Sequence, residues 1–334
     1  QEKRKAGIMS MDDKLRWAVL GTGTIAHQMA EAFQSMGRAL DAVGSRTPAK
    51  TAAFAQKYGI PKVYQDCGEM FTDPEIDIIY LATPHNTHIT YLEKALSQGK
   101  HVLCEKAITL NSEELSRAMG LAREHQVVLA EAMTIYHMPV YRALLERVGS
   151  GDLGRVELIQ LNFGSFKDYD MKNRFFSPDL AGGAILDIGV YALSLARLFL
   201  DSNPDQMKSF VRKAPTGVDE SAAIAMSNRE GQLVTATLSL HARQPKRGVI
   251  SCERGYIEIS GYPRADEAVI VDAQTGAREL VQAGRTADAL CYEIEDMERA
   301  VREGGDMSLP LTADVMELMT ALRREWGVVY PEER

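Results

Sequence analysis

Cysteine is scarce in this chain: four residues in 334, at Cys67, Cys104, Cys252 and Cys291, far apart and with no C-x-x-C pair. Such spacing argues against a structural zinc site or a disulfide scaffold, and it fits a reducing, cytoplasmic setting. Positive charge is also short. The 38 Lys and Arg against 46 Asp and Glu leave a net charge of −8, and no basic stripe appears beyond the first five residues, so nucleic acid and anionic membranes are poor partners. No long apolar run is free of charge. The longest, 183–200, carries Asp187 and Arg197 and is not read as a membrane span. Internal repeats and low-complexity tracts are missing too. Residues 1–13 are polar, lack the apolar stretch of a signal peptide and read as a frayed tail. What remains, 45% apolar and 25% charged, has the composition of an ordinary globular protein, and its length suits two domains.

The order of patterns changes midway. Strand candidates at 17–20, 40–45, 62–64, 76–82, 101–104 and 127–130 alternate with helical runs near 25–36, 48–58, 86–98 and 112–125. Short apolar strands alternating with helices imply βαβ units and a parallel sheet buried on both faces. Thr47-Pro48 reads as an N-cap with proline at the first helical position, and Asn111 with Glu114 as a capping box. After a helix at 138–148 and a turn-rich stretch at 149–154, strand-like runs follow at 155–163, 221–226, 232–240, 248–252, 256–260 and 268–271. One helix, 185–200, interrupts them, and helices at 287–302 and 312–326 close the chain. This segregation predicts an α+β domain with an open, mostly antiparallel sheet.

Chemistry enters at Gly21-Thr22-Gly23-Thr24-Ile25-Ala26, a G-x-G-x-x-A turn between a strand and a helix. Gly21 permits the tight turn, Gly23 lets backbone approach a pyrophosphate, and Ala26 keeps the helix close to the sheet. The helix N-terminus offers free N–H groups to the phosphates. A glycine-rich turn that binds nothing is the alternative. For the cofactor's ribose, Asp41 lies at the start of the second strand, more than roughly 10 Å from its far end at about 3.3 Å per residue. That far end carries Ser45 and Arg46, with Lys50 nearby. Hydroxyl and guanidinium groups suit a 2′-phosphate, so NADP is expected rather than NAD; a solvated surface Arg46 is the alternative. Thr83-Pro84-His85-Asn86-Thr87-His88 follows another strand at the same sheet edge and is expected to border the cofactor. His85 and His88 lack a carboxylate or cysteine companion, so no metal site is expected.

At that edge Glu105-Lys106 follows a further apolar strand. The Lys106 ammonium is suited to stabilising a substrate oxyanion as hydride leaves, with Glu105 orienting it or touching the cofactor. Burial beside a positive nicotinamide would lower the lysine's pKa. Asp187 and Tyr191 stand four apart on an apolar helix and share one face. A buried aspartate needs a partner, and Lys106 would supply it; Tyr191 then becomes a general acid–base with its pKa lowered by the ammonium and an oxidised nicotinamide. A surface Glu–Lys pair and a core tyrosine with a tied hydroxyl remain open as the bland readings.

Taken in order, G-T-G-T-I-A, S-R-T, T-P-H-N-T-H, L-C-E-K and G-G-A-I-L-D-I-G-V-Y resemble the Gfo/Idh/MocA oxidoreductase family over essentially the whole chain past Lys14. Glu131-Ala-Met with Pro139, Asn162-Phe-Gly164, Thr216-Gly-Val-Asp219 and Trp326 to Pro331 make it most similar to the family's dimeric dihydrodiol and D-xylose:NADP dehydrogenase branch. The resemblance implies an N-terminal α/β Rossmann domain over 14–131 and a substrate and dimerisation domain over 132–334. It implies Lys106 and Tyr191 as catalytic pair, oriented by Asp187, with Arg174, Phe163 and Tyr136 near the substrate. Ala107 stands where the family usually has proline, and the segment 134–138 lacks the arginine common in that branch. A homodimer through the exposed face of the second sheet is implied, with 232–240 contributing. The expected activity is hydride transfer between NADP and a secondary alcohol or ketone of a sugar or trans-dihydrodiol. Inositol or another sugar as substrate, or a non-catalytic NADP(H)-binding regulator, are the alternatives.

Overall fold

The structure, a computed structural model, describes residues 14–334; the tail read over 1–13 lies outside the described residues. Residues 15–149 alternate strand and helix: β1 (Trp17–Leu20), α1 (Thr24–Ser35), β2 (Ala42–Gly44), α2 (Pro48–Tyr58), β3 (Lys62–Tyr64), α3 (Cys67–Thr72), β4 (Ile78–Leu81), α4 (His88–Ser97), β5 (His101–Glu105), α5 (Ser112–Glu124), β6 (Leu129–Ala132) and α6 (Pro139–Gly149). The six strands form one parallel sheet in the order β3-β2-β1-β4-β5-β6. β1 and β4 are fully buried, as a strand covered by helices on both faces must be. The order reverses direction between β1 and β4, the switch point where an open α/β sheet leaves a crevice at its carboxyl edge.

The second unit contains β7 (Val156–Gly164), α7 (Val190–Phe199), β8 (Gln206–Lys213), β9 (Asp219–Ser227), β10 (Leu233–Ser239), β11 (Gln244–Cys252), β12 (Gly255–Ser260), β13 (Glu267–Asp272) and β14 (Arg278–Gln282). Its strand order is β14-β13-β12-β11-β7-β10-β9-β8; the β7–β10 pair is parallel and the others antiparallel. Strands alternate buried and exposed residues, as in β10, so one face packs inward while the other stays open. The segment Pro178–Phe199 is apolar and long enough for a membrane span, yet 83% of its window is buried inside the protein, where it serves as the core helix of this sheet.

Two helices end the chain, α8 (Ala289–Glu303) and α9 (Leu309–Trp326). α8 returns to the first unit. Leu290, Ile294, Met297 and Ala300 join Trp17, Phe33 and Val43 in one core, each large side chain contributing about 2 kcal/mol of burial. Trp17 Nε1 donates to Glu298 Oε1 at 2.8 Å, and Arg38 pairs with the same carboxylate. The packing therefore crosses the division expected at residue 131, and the two units share their last helices.

Candidate active site

The glycine turn has the backbone its residues demand. Gly21 has φ +115°, and a Cβ there would lie 2.3 Å from the Ala82 carbonyl oxygen at the exit of β4. A Cβ on Gly23 would meet nothing within 4 Å, so the space beside the start of α1 is open. No side chain caps that helix, which leaves its first N–H groups for an anion. This cradle fits a dinucleotide pyrophosphate. It opens into a cleft of about 710 Å³ whose walls include Gly21, Thr22, Gly23, Thr24 and Ile25, then Ser45, Arg46 and Lys50, and Thr83, Pro84, Glu105, Lys106, Arg174 and Tyr191. Ala26 is buried behind them. Asp41 sits at the opposite end of β2, accepting from the Trp17 amide at 2.9 Å, whereas Ser45 and Arg46 lie at the cleft end of that strand. Ser45 Oγ lies 2.6 Å from Thr51 Oγ1.

Lys106 follows β5, and its peptide bond to Ala107 is cis. Its ammonium donates to the Asp187 carbonyl at 2.7 Å and approaches Asp187 Oδ1 at 3.3 Å. Arg174 reaches the same carboxylate at 3.6 Å. Burial opposes charge on Asp187, but Lys106 and Arg174 outweigh it and hold the carboxyl below its usual range. Asp187 lies in a π-helical turn, Ile185–Gly189, that leads into α7; such bulges re-aim side chains at functional positions. Gly189 packs tightly there: a Cβ would come 2.7 Å from Ile185 Cδ1 and 2.8 Å from Leu238 Cδ1, so those two side chains would have to shift. Lys106 Nζ stands 4.7 Å from the centre of the Tyr191 ring. Phe163 stacks on that ring, with centres 5.9 Å apart and planes at 14°.

Several expectations need correction. Among the protein's own groups the Tyr191 pKa is raised: burial dominates, and the Lys106 ammonium offsets only part of it. Lys106 is also raised; burial acts to lower it, but Tyr191, Asp187 and Glu105 together prevail. Glu105 does not orient the ammonium. It accepts from the Tyr80 hydroxyl and from the Lys106 amide, while Asp187 takes the ammonium. His88 does not face the cleft. It is buried, with Nε2 2.8 Å from the Thr83 carbonyl and Nδ1 3.1 Å from that of Ala107, and ties two loops together. Asn86 turns outward to the Asp179 carbonyl and Glu332. Tyr136, on the turn Thr134–Tyr136, is buried and borders a separate depression with Arg142 and Asp296 rather than the cleft.

Other residues take the vacated places. His85 lines the cleft and donates from Nε2 to the Lys106 carbonyl at 3.0 Å; burial pulls its pKa down to about 3, so it is neutral. Arg264, from the turn Tyr262–Arg264, reaches across to Gln28 Oε1 at 3.0 Å. This bridge separates the cleft from a second cavity of about 720 Å³ beside α1 and α8. The first cleft is the candidate reaction site, since it holds both the glycine turn and the Lys106–Tyr191 pair. Nothing in the local sequence singles out Arg264, whose position depends on the second sheet.

A dinucleotide cradle facing an amine and a phenol from two separate units is equipped for hydride transfer, and this chain is an NAD(P)-dependent oxidoreductase. It belongs to the GFO/IDH/MocA family: residues 15–133 match the model described as oxidoreductase family, NAD-binding Rossmann fold, and residues 141–258 match the GFO/IDH/MocA C-terminal domain. Among curated relatives, trans-1,2-dihydrobenzene-1,2-diol dehydrogenase of Danio rerio is 27% identical, covering 96% of this chain and 99% of the relative. The enzyme of the same name from Homo sapiens is 25% identical with the same coverage. Among solved structures, levoglucosan dehydrogenase in complex with NADH superposes with TM-score 0.85 at 18% identity, covering 94% of this chain and 97% of the other. A 3-ketoreductase from Actinomadura kijaniata in complex with NADP and TDP-benzene gives 0.82 at 20%, covering 93% and 98%. These two share the fold.

Proposed function

We propose that the protein is an NADP-dependent dehydrogenase that moves hydride between the nicotinamide and a secondary alcohol or ketone of a sugar or trans-dihydrodiol. The observation that carries this reading is the Lys106 ammonium set against the Tyr191 ring inside the cleft that holds the glycine turn. When bound, the nicotinamide supplies the hydride acceptor or donor. In the reductive direction the Tyr191 phenol, kept protonated by its raised pKa, gives its proton to the substrate carbonyl oxygen as hydride reaches the carbon. Lys106 stabilises negative charge on both oxygens, and Asp187 keeps the lysine charged and aimed. His85 holds the Lys106 backbone, and Phe163 fixes the plane of the Tyr191 ring. NADP is favoured by Ser45, Arg46 and Lys50 on the cleft wall with no carboxylate among them. The relatives' cofactors, NADP in one solved structure and NADH in another, support either nucleotide.

The test is turnover of pentoses, hexoses and trans-diols with NADP⁺ and NAD⁺, followed at the reduced-nicotinamide absorbance band. NADP⁺ should give the higher kcat/KM, and Arg46→Ala should cut that preference by about tenfold, the loss of one charge-assisted contact. An unchanged ratio would remove Arg46 from recognition. Tight NADPH binding without turnover of any compound would instead fit a non-catalytic NADP(H)-binding regulator.

We also place homodimer formation on the open face of the eight-stranded sheet. Phe210, 84% exposed, and Leu233 and Leu280, both more than half exposed, lie on that face with Ala223, Ala225 and Val249, an apolar scatter that pairing would cover. Sedimentation should give twice the chain mass, and Phe210→Glu should return it to one.

A further inference from the structure

We infer that the substrate carries an anionic group, a phosphate ester or carboxylate, several bonds from the reacting carbon. The inference rests on the cleft being the substrate site proposed above. The chain as a whole is acidic, with net charge −8, yet the second unit gathers cations around the Tyr191 end of the cleft. Lys106 of the first unit and Arg174 line the cleft, and Lys167 and Lys246 stand just behind that lining, within the field of the same groups. Each lies over an aromatic ring: Lys167 Nζ is 4.3 Å and Arg174 Cζ 4.2 Å from the centre of Phe175, and Lys246 Nζ is 4.9 Å from that of Phe163. Phe163 in turn stacks on Tyr191, so Lys246 is one ring removed from the proposed acid–base.

Counter-charge does not match. Asp187 is shared between Lys106 and Arg174. Neither Lys167 nor Lys246 has an ion pair with a carboxylate among the described residues. Asp170, close to Lys167 in the same loop, instead caps the Lys172 amide at 2.9 Å. The field around Lys167 reflects the crowding: burial lowers its pKa, and Arg174, Lys106 and Lys246 lower it further against Asp187. A neutral sugar gains nothing from two uncompensated ammonium groups held on rings, whereas a phosphate dianion would neutralise both and accept their hydrogen bonds. The rings hold the cations at fixed places, which gives a binding site a defined distance from Tyr191 rather than a diffuse potential.

The test reads binding, not turnover. Fluorescence of NADPH bound to the whole protein is titrated with D-glucose, D-glucose 6-phosphate and D-glucuronate at low and high KCl. The expected result is at least about tenfold tighter binding of an anionic compound than of glucose, weakening as salt is added. In Lys167→Met/Lys246→Met that preference should collapse toward one, while the Kd for NADPH stays as in the parent. Equal affinities, no binding of either anion, or a preference that survives the double substitution overturns the inference. Lack of turnover of these sugars bears on the proposed dehydrogenase activity and leaves the binding comparison standing.

Discussion

Replacing Asp187 by asparagine tests the electrostatics of the site without altering its shape. The amide keeps the volume, and the backbone carbonyl of residue 187 still accepts from Lys106, as it does at 2.7 Å in the parent, so the lysine stays in place. What is lost is the carboxylate charge 3.3 Å from the ammonium. At an effective dielectric of about 20 that pair is worth about 5 kcal/mol before solvent and Arg174 readjust. Lys106 is charged across the ordinary assay range because Tyr191, Asp187 and Glu105 raise its pKa against burial. Without Asp187 the ammonium gives up its proton at lower pH. The alkaline limb of the kcat/KM profile should therefore move toward neutrality, and kcat at pH about 9 should drop by about 100-fold, the scale of losing one oxyanion donor. NADPH affinity, measured by fluorescence, should stay within a factor of about 2, since Asp187 lies away from the glycine turn. Thermal stability should fall, because Lys106 and Arg174 would face each other with no carboxylate between them. A profile that keeps its alkaline limb and merely loses amplitude would falsify the assigned role of Asp187.

Lys106→Met should bind NADPH as before and lose about 100- to 1,000-fold in kcat; retained turnover would take the lysine out of the chemistry. Glu131 is buried, accepting from the Ile108 amide at 3.1 Å and from Thr312 Oγ1 at 3.2 Å, and burial raises its pKa from 4.5 to about 7. The folded protein thus holds a proton between pH about 4.5 and 7 that the unfolded chain releases. Its stabilising effect is complete below that window and is lost as pH rises through it, by about 3 kcal/mol. Glu131→Gln should flatten this dependence in urea unfolding at several pH values, and parallel curves for parent and variant would contradict the assignment. Gly21→Ala should abolish nucleotide binding or destabilise the fold, because its Cβ meets the Ala82 backbone oxygen and φ is +115°; a Gly21→Ala variant that binds NADPH normally would show that the turn tolerates a side chain.

The parallel sheet is readable from sequence because its strands are short apolar runs separated by capped helices. The Lys106–Asp187 partnership is readable because a buried charge has few places to go. Elements with weak pattern escape. α3 has six residues, too few for a helical period, and is announced only by Asp66, which accepts from the Gly68 amide. β8 and β14 are edge strands with mostly polar, exposed residues, and pairing with β9 and β13 creates them rather than local preference. In the site, His85 and His88 are three residues apart on one tight turn, and sequence does not choose which faces the cleft. Arg264 arrives there only through the second sheet. The pKa directions at Lys106 and Tyr191 elude sequence because the depth of burial around the ring is a property of packing.

The return of α8 to the first sheet has an evolutionary and practical consequence. A fragment ending near residue 131 would leave Trp17 and Phe33 facing water where Ile294 and Met297 belong, so the nucleotide-binding half is not a detachable cassette. Changes in α8 reach the first sheet through Trp17 and Glu298, at the end of β1 away from the glycine turn, and the two halves are bound to vary together, like the strands of a splice.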